Sequence, residues 1–176
     1  MKEVAVVDVR ALDAADRAWA ESVLVARWGA TGIVSRGRLF EARELPGLVA
    51  ELGGDPVGLL TFRQAAGRIE VVTLDALRLS IGVGTALLRR LGELAIERGC
   101  GEVRLVTTND NVAALSFYQR RGFRLVAVHV GAVDRARALK PGIPAVGSDG
   151  IEIHDEIELA WDIAERGIDR RGAEGR

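Results

Sequence analysis

Strands and helices alternate through the second half of this 176-residue chain. Short apolar runs at 69–74, 102–107 and 123–130 have the length and composition of strands. Between them, the stretches 84–98 and 111–121 carry apolar residues at helical spacing, and a glycine follows each stretch. This alternation predicts an α/β domain in which helices pack on a central sheet.

The first half of the chain predicts further strands and one helix. A β-branched run at 4–9 predicts a buried strand, and Asp13 is in position to cap a helix over 14–27. Two strand-like runs, 48–52 and 57–62, flank a Gly-Gly-Asp-Pro turn and predict a hairpin. The remaining predicted elements are a loop with a short helical piece at 131–150 and a last strand at 151–161.

Length, charge and cysteine content limit the class of protein. We expect one domain over 1–164 and a charged tail over 165–176. Lys and Arg number 24 against 25 Asp and Glu, a balance that argues against a nucleic acid or an anionic membrane as partner. The start lacks the features of a secretory signal and no apolar run approaches the ~20 residues that span a bilayer, so we expect a cytoplasmic protein. One cysteine and two separated histidines lack the spacing of metal ligands, so we expect no metal site.

Residues 79–85 join a predicted strand to a predicted helix and contain Gly82 and Gly84. Backbone N–H groups at the start of a helix can bind a phosphate, and glycine lets an anion approach them closely. A dinucleotide-binding fingerprint would need a third glycine at Leu87, and a P-loop would need a lysine after Gly84. A plain strand-to-helix turn remains an alternative interpretation.

A second segment, Asn111 to Phe123, adds an independent signal. Asn111 and Tyr118 are seven residues apart, which places them on the same side of a helix. With Gly82-Val83-Gly84, the pattern Asn111…Phe117-Tyr118…Gly122-Phe123 resembles the GNAT superfamily of N-acetyltransferases, and the order of elements agrees over nearly the whole chain. The resemblance implies an α/β (α+β) fold with a mixed, mostly antiparallel sheet of about seven strands and about four helices. The cofactor would lie where two neighbouring parallel strands diverge.

The resemblance also implies an activity. It is that of an N-acetyltransferase that moves an acetyl group from acetyl-CoA to a small-molecule or protein amine. Transfer would be direct, because no cysteine or serine lies in the setting of an activated nucleophile. A non-catalytic acyl-CoA sensor or assembly protein of the same fold is the alternative, other acyl donors stay open, and a homodimer is a further hypothesis. Leu79 stands where the family usually has Gln or Arg, which predicts less side-chain help for phosphate binding.

The family's catalytic roles fall on a few residues. Tyr118 matches the general acid that protonates the departing sulfur, although a half-buried aromatic on a helix is the alternative. Glu70 is our candidate for the base, and a salt-bridged strand glutamate is its alternative. Asp155, Glu156 and Glu158 on the last predicted strand are rivals that could also hold a cationic amine.

The predicted strand at 69–74 shows a change of phase. Ile69 and Val71 share one face of a regular strand, whereas Val72 and Leu74 share the other. This pattern indicates either a bulge or a strand that is buried on both faces. The family implies that unpaired backbone N–H groups near Leu74 bind the carbonyl oxygen of the thioester.

The remaining predicted contacts concern the cofactor and the acceptor. Asn111 is predicted to contact the pantetheine arm, with helix capping as an interpretation that can hold alongside. Trp28, followed by glycines, is predicted to form an acceptor-binding wall together with Asp155 and Glu156, or else to be a core tryptophan. The full set of predicted cofactor-binding residues is Leu74, Asp75, Ala76, Leu79, Ser80, Ile81, Gly82, Val83, Gly84, Thr85, Asn111 and Phe117.

Overall fold

The computed structural model describes residues 6–163, so the predicted tail over 165–176 lies outside the described residues. Nine strands and four α-helices form within that range. In chain order the elements are β1 (Val7–Ala11), α1 (Arg17–Trp28), β2 (Gly32–Ser35), β3 (Arg38–Glu41), a 3₁₀ turn (Ala42–Glu44), β4 (Gly47–Leu52), β5 (Asp55–Ala65), β6 (Arg68–Ala76), α2 (Val83–Glu97), β7 (Glu102–Thr108), α3 (Val112–Gln119), β8 (Arg124–His129), α4 (Ala132–Ala136) and β9 (Glu156–Asp162).

Seven of the strands form one sheet in the order β1-β4-β5-β6-β7-β9-β8, and β2 and β3 form a separate hairpin. Within the described sheet, β6 and β7 pair in parallel and the other neighbours pair antiparallel. The two faces bury different helices. Leu60 on β5 joins the cluster packed against α2, whereas Leu59 joins the cluster packed against α1. The predicted mixed, mostly antiparallel seven-stranded sheet with four helices is therefore confirmed.

The parallel strands β6 and β7 form a fork. They pair only over Arg68–Glu70 and Glu102–Arg104, although β6 continues to Ala76 and β7 to Thr108. Beyond Glu70, the edge of β6 that faces β7 has no neighbouring strand among the described residues. The fork therefore leaves backbone groups of β6 open on that side.

A bulge lies on the same strand. The register of β5 against β6 jumps from Thr61↔Thr73 to Phe62↔Val71, which leaves Val72 without a partner. Val72 packs against the α1 cluster, while Leu74 returns to the α2 cluster. Of the two explanations for the change of phase, the bulge is the correct one.

The predicted start of α1 is wrong by three residues. The helix begins at Arg17 and not at 14, and its N-cap residue is Asp16. Asp13 instead closes a turn before the helix, because its Oδ1 accepts the Ala15 N–H at 2.8 Å. Asp16 is drawn back toward β1 by Arg10, whose Nη1 lies 2.6 Å from Asp16 Oδ2.

The last strand is shorter than predicted. It spans Glu156–Asp162, and residues 151–155 form an extended segment with one isolated bridge at Glu152. Asn109 holds that segment away from the sheet, because its Oδ1 accepts the N–H groups of His154 and Asp155, each at 3.0 Å. Among the described residues, no helix is long and apolar enough to cross a membrane.

Candidate active site

The turn before α2 has the backbone of an anion-binding loop. Ser80 and Gly82 are both left-handed, with φ of 65° and 85°, a conformation that is uncommon for serine. Gly82 is the N-cap residue of α2, and no side chain caps this helix end. Its first N–H groups and the positive end of the helix dipole are thus available to an anion. Leu79 is 80% exposed, and its side chain brings no polar atom to the turn.

Gly84 has a packing role that the sequence did not reveal. It is buried, its φ is not positive, and a Cβ placed on it would lie 2.8 Å from the Phe117 ring. The same Cβ would lie 3.6 Å from Leu74 Cδ2. Gly84 therefore lets α2 approach α3 closely, and it joins the two predicted cofactor motifs with the fork strand β6.

Arg121 lies across the start of α2 and was missed by the sequence analysis. Its Nε and Nη2 donate to Thr85 Oγ1 at 2.9 and 2.6 Å, and its Nη1 donates to the Phe117 carbonyl at 2.7 Å. The guanidinium stacks 3.6 Å from the centroid of the Phe117 ring. Among the described residues, no carboxylate pairs with it, although a cation at a helix N-terminus is unfavourable without an anion nearby. In the sequence, the only sign of a role for Arg121 was its position about one helical turn after Tyr118.

Tyr118 projects from α3 with a hydroxyl that makes no hydrogen bond to another described residue. Its ring packs edge-on against Phe117 and Phe123, at centroid distances of 5.2 and 5.5 Å. Burial raises the pKa of the phenol above its ordinary value, and the nearby charge of Asp75 raises it further. The phenol therefore keeps its proton near neutral pH. At the other end of the helix, Asn111 Oδ1 accepts the Ala114 N–H at 3.1 Å, which confirms capping; its contact with pantetheine stays a prediction.

Trp28 is the last residue of α1 and is 39% exposed, so it is neither a core tryptophan nor part of a free loop. Its Nε1 donates to Asp75 Oδ2 at 3.0 Å, and Lys140 Nζ donates to its carbonyl at 2.9 Å. Asp75 is only 8% exposed. Burial raises the pKa of Asp75, while the Trp28 hydrogen bond and the charge of Arg27 act in the opposite direction.

Glu70 is tightly ion-paired. Arg63 Nε and Arg36 Nη2 lie 2.5 and 2.8 Å from Glu70 Oε2. Burial alone would raise the pKa of Glu70, but the two guanidinium groups outweigh it and the net pKa lies below the ordinary value. A lowered pKa makes Glu70 a weak proton acceptor, which favours the salt-bridged interpretation for this residue.

Arg36 fastens the β2–β3 hairpin over the fork. It sits at the hairpin tip with a left-handed φ of 48°, and its N–H donates to Glu156 Oε2 at 2.9 Å. Its guanidinium also lies 3.3 Å from Glu158 Oε1. Burial raises the pKa of Glu156. A small cleft lies between the hairpin, β6 and β7, with Glu70 and Glu158 among its walls.

Asp155 directly precedes β9 and is engaged with another loop. Its Oδ1 accepts the Gly131 N–H at 2.7 Å, at the start of α4. This bond orders the loop, so the structure brings Glu156 and not Asp155 to the hairpin tip. No role for Arg36 could be predicted from the sequence, because its partners lie up to 122 residues away in the chain.

Solved structures share this architecture. The IAA acetyltransferase from Bacillus cereus ATCC 14579 has a TM-score of 0.69 at 22% identity, over 89% of this chain and 99% of that one. An acetyltransferase of Bacillus subtilis in complex with CoA has a TM-score of 0.61 at 18% identity, over 89% of this chain and 97% of that one. At these identities the likeness establishes the acetyltransferase-type fold.

Sequence comparison narrows the class to a family. The Acetyltransferase (GNAT) family matches residues 12–123. The chain is 40% identical over 131 residues to the uncharacterized protein YdhI of Bacillus subtilis (strain 168), which covers 74% of this chain and 82% of that protein. The protein therefore belongs to the GNAT family of acetyltransferases, and the predicted resemblance is confirmed.

Proposed function

We propose that this protein is an N-acetyltransferase that moves an acetyl group from acetyl-CoA directly to an amine. The observation that carries the proposal is the Tyr118 hydroxyl, which is protonated, without a hydrogen-bond partner among the described residues, and close enough to the fork to feel the charge of Asp75. Cys100, the sole cysteine, is buried and distant from both cofactor motifs in sequence, which supports direct transfer without an acyl-enzyme.

The site fits a phosphate-bearing thioester. Acetyl-CoA, when bound, would supply the acetyl group in activated form. We assign its phosphates to the turn 79–85 and to Arg121, and its pantetheine arm to the open edge of β6 over 74–76, with Phe117 and Asn111 alongside. The N–H groups of that open edge would stabilise the carbonyl oxygen as it gains charge.

The acceptor amine would enter on the opposite face of the sheet. Trp28, Glu156 and the Arg36-fastened hairpin line that side. We propose that this face receives a small-molecule or protein amine, with the carboxylates drawing in its positive charge. The exposed apolar side chains of the edge strand β8, such as Val126 and Val128, support the hypothesis of a homodimer.

Thiol release from acetyl-CoA tests the proposed function. We expect turnover with at least one class in a panel of small amines, amino acids and peptides that carry a free N-terminus or lysine. Propionyl-CoA and succinyl-CoA in the same assay define the acyl donor. If calorimetry shows that CoA binds but no amine class is turned over, the proposed enzymatic function is wrong and the acyl-CoA sensor is favoured. The exposed, apolar Leu79 in the phosphate turn is the structural feature that supports the sensor.

Arg121→Gln is expected to raise the calorimetric Kd for CoA about tenfold, because a charge-assisted hydrogen bond contributes roughly 1.5–3 kcal/mol. The Kd for dephospho-CoA should rise equally if Arg121 binds the pyrophosphate, and the Kd for pantetheine should not change. Arg89→Gln is the matched control, because Arg89 is exposed on α2 and its replacement removes the same charge. Equal loss for all three ligands would instead assign Arg121 to packing alone.

A further inference from the structure

Asp75 has a buried carboxylate. The cofactor contacts proposed for β6 over 74–76 use the backbone and not this side chain. Asp75 lies in the open part of β6, it is 8% exposed, and no Lys or Arg side chain forms an ion pair with it among the described residues. Its Oδ2 accepts the Trp28 N–H, and no described residue donates to its Oδ1. Burying a carboxylate without a cation is costly, so its retention calls for a function.

The two sides of the fork place Asp75 opposite Tyr118. Asp75 contacts Trp28 and α1 on one face of the sheet, whereas Tyr118 packs with α3 against the α2 cluster on the other face. The two groups are still close enough for the charge of Asp75 to raise the pKa of Tyr118. An acid and a base that serve one thioester need such an arrangement, on either side of the reacting carbon.

We propose that Asp75 is the general base that receives the proton of the acceptor amine. The assignment rests on the N-acetyltransferase function proposed above. The amine nitrogen forms a bond to the thioester carbon, the carbon–sulfur bond breaks, and the electron pair leaves with sulfur. Asp75 takes a proton from the nitrogen, and Tyr118 gives its proton to the sulfur. The amine enters this step neutral, and an ammonium first gives its extra proton to water. Once the products leave, Asp75 gives its proton to water and the Tyr118 oxygen takes one from water, so the enzyme ends as it began.

The other carboxylates are less suitable. Glu70 and Glu158 are each bonded by arginines, and the net pKa of each lies below the ordinary value. Glu156 is buried with a raised pKa, but it holds the hairpin through the Arg36 N–H and does not act on Tyr118. Of the carboxylates that the structure describes, Asp75 alone combines burial, a free oxygen and proximity to the acid.

Asp75→Asn tests the proposal, because asparagine keeps an acceptor for Trp28 Nε1 and removes the base. We expect kcat/KM to fall about 100-fold with an unchanged Kd for CoA. The pKa of Asp75 is higher in the folded than in the unfolded protein, so its charge costs stability as pH rises through that range. The variant should therefore melt no lower than the wild type at neutral pH. Full activity, or a lost activity that accompanies a lower Tm, would overturn the assignment.

Trp28→Phe supplies a readout that a merely structural role would not move. Arg27 and Tyr118 are the other charged or titratable groups that act with Asp75. Loss of the Trp28 hydrogen bond should raise the pKa of Asp75 further, so the acid limb of the kcat/KM profile should move to higher pH. A profile that does not move contradicts the base assignment. Absence of turnover in the wild type would overturn the proposed function itself, and the base with it.

Discussion

Tyr118→Phe should lower kcat at least about 100-fold, because it removes the proton that the departing thiolate needs. The ring contacts with Phe117 and Phe123 do not involve the hydroxyl, and the hydroxyl bonds to no other described residue. Stability and CoA affinity should therefore stay near the wild-type values. The measurement is steady-state thiol release together with calorimetric CoA binding.

The pH profile gives this prediction a second check. Because burial and Asp75 hold the pKa of Tyr118 above 10, the tyrosine should cause no loss of rate on the alkaline side below that pH. If the wild-type pH–rate profile falls on the alkaline side and this fall disappears in Tyr118→Phe, the pKa of Tyr118 is lower than its surroundings imply. An unchanged kcat would contradict the role of Tyr118 and assign the general acid to another group.

Local sequence signals predicted much of the local structure on the proposed cofactor side. The turn 79–85 and α3 each carry their signal within a dozen residues, and the bulge at Val72 appeared as a change of phase on one strand. Boundaries were less accurate where a side chain competes with regular backbone bonding. Because Asp13 bonds the backbone before α1, that helix begins later than predicted, and Asn109 has the same effect on the start of β9.

The proposed acceptor side could not be predicted because its contacts join distant parts of the chain. Trp28 and Asp75 are 47 residues apart, and Arg36 and Glu156 are 120 apart. Neither pair leaves a periodic or spaced pattern in the sequence. Glu70 appeared as a candidate base by its strand position alone, and only the packing of Arg63 and Arg36 around it reveals its ion pairs.

Gly84→Val should damage both stability and cofactor binding. Its Cβ would lie 2.8 Å from the Phe117 ring, and that ring is fixed by the stacked Arg121 guanidinium. Overpacking of this kind costs typically about 1–3 kcal/mol of unfolding free energy. Because α3 must move away from α2, the Kd for CoA should rise on the order of tenfold. Denaturant unfolding and calorimetry measure the two effects.

Gly101→Val and a double variant separate the cause. Gly101 has no atom within 4 Å of an added Cβ and no left-handed backbone, so its replacement should leave CoA binding unchanged. If contact with the ring is the cause, Phe117→Leu should restore part of the stability lost by Gly84→Val, and the two changes will not add. Additive losses would mean that Gly84 serves the turn backbone and not the contact between α2 and α3. The close packing of α2 against α3 would then result from the geometry of the proposed cofactor site and would not stabilise it.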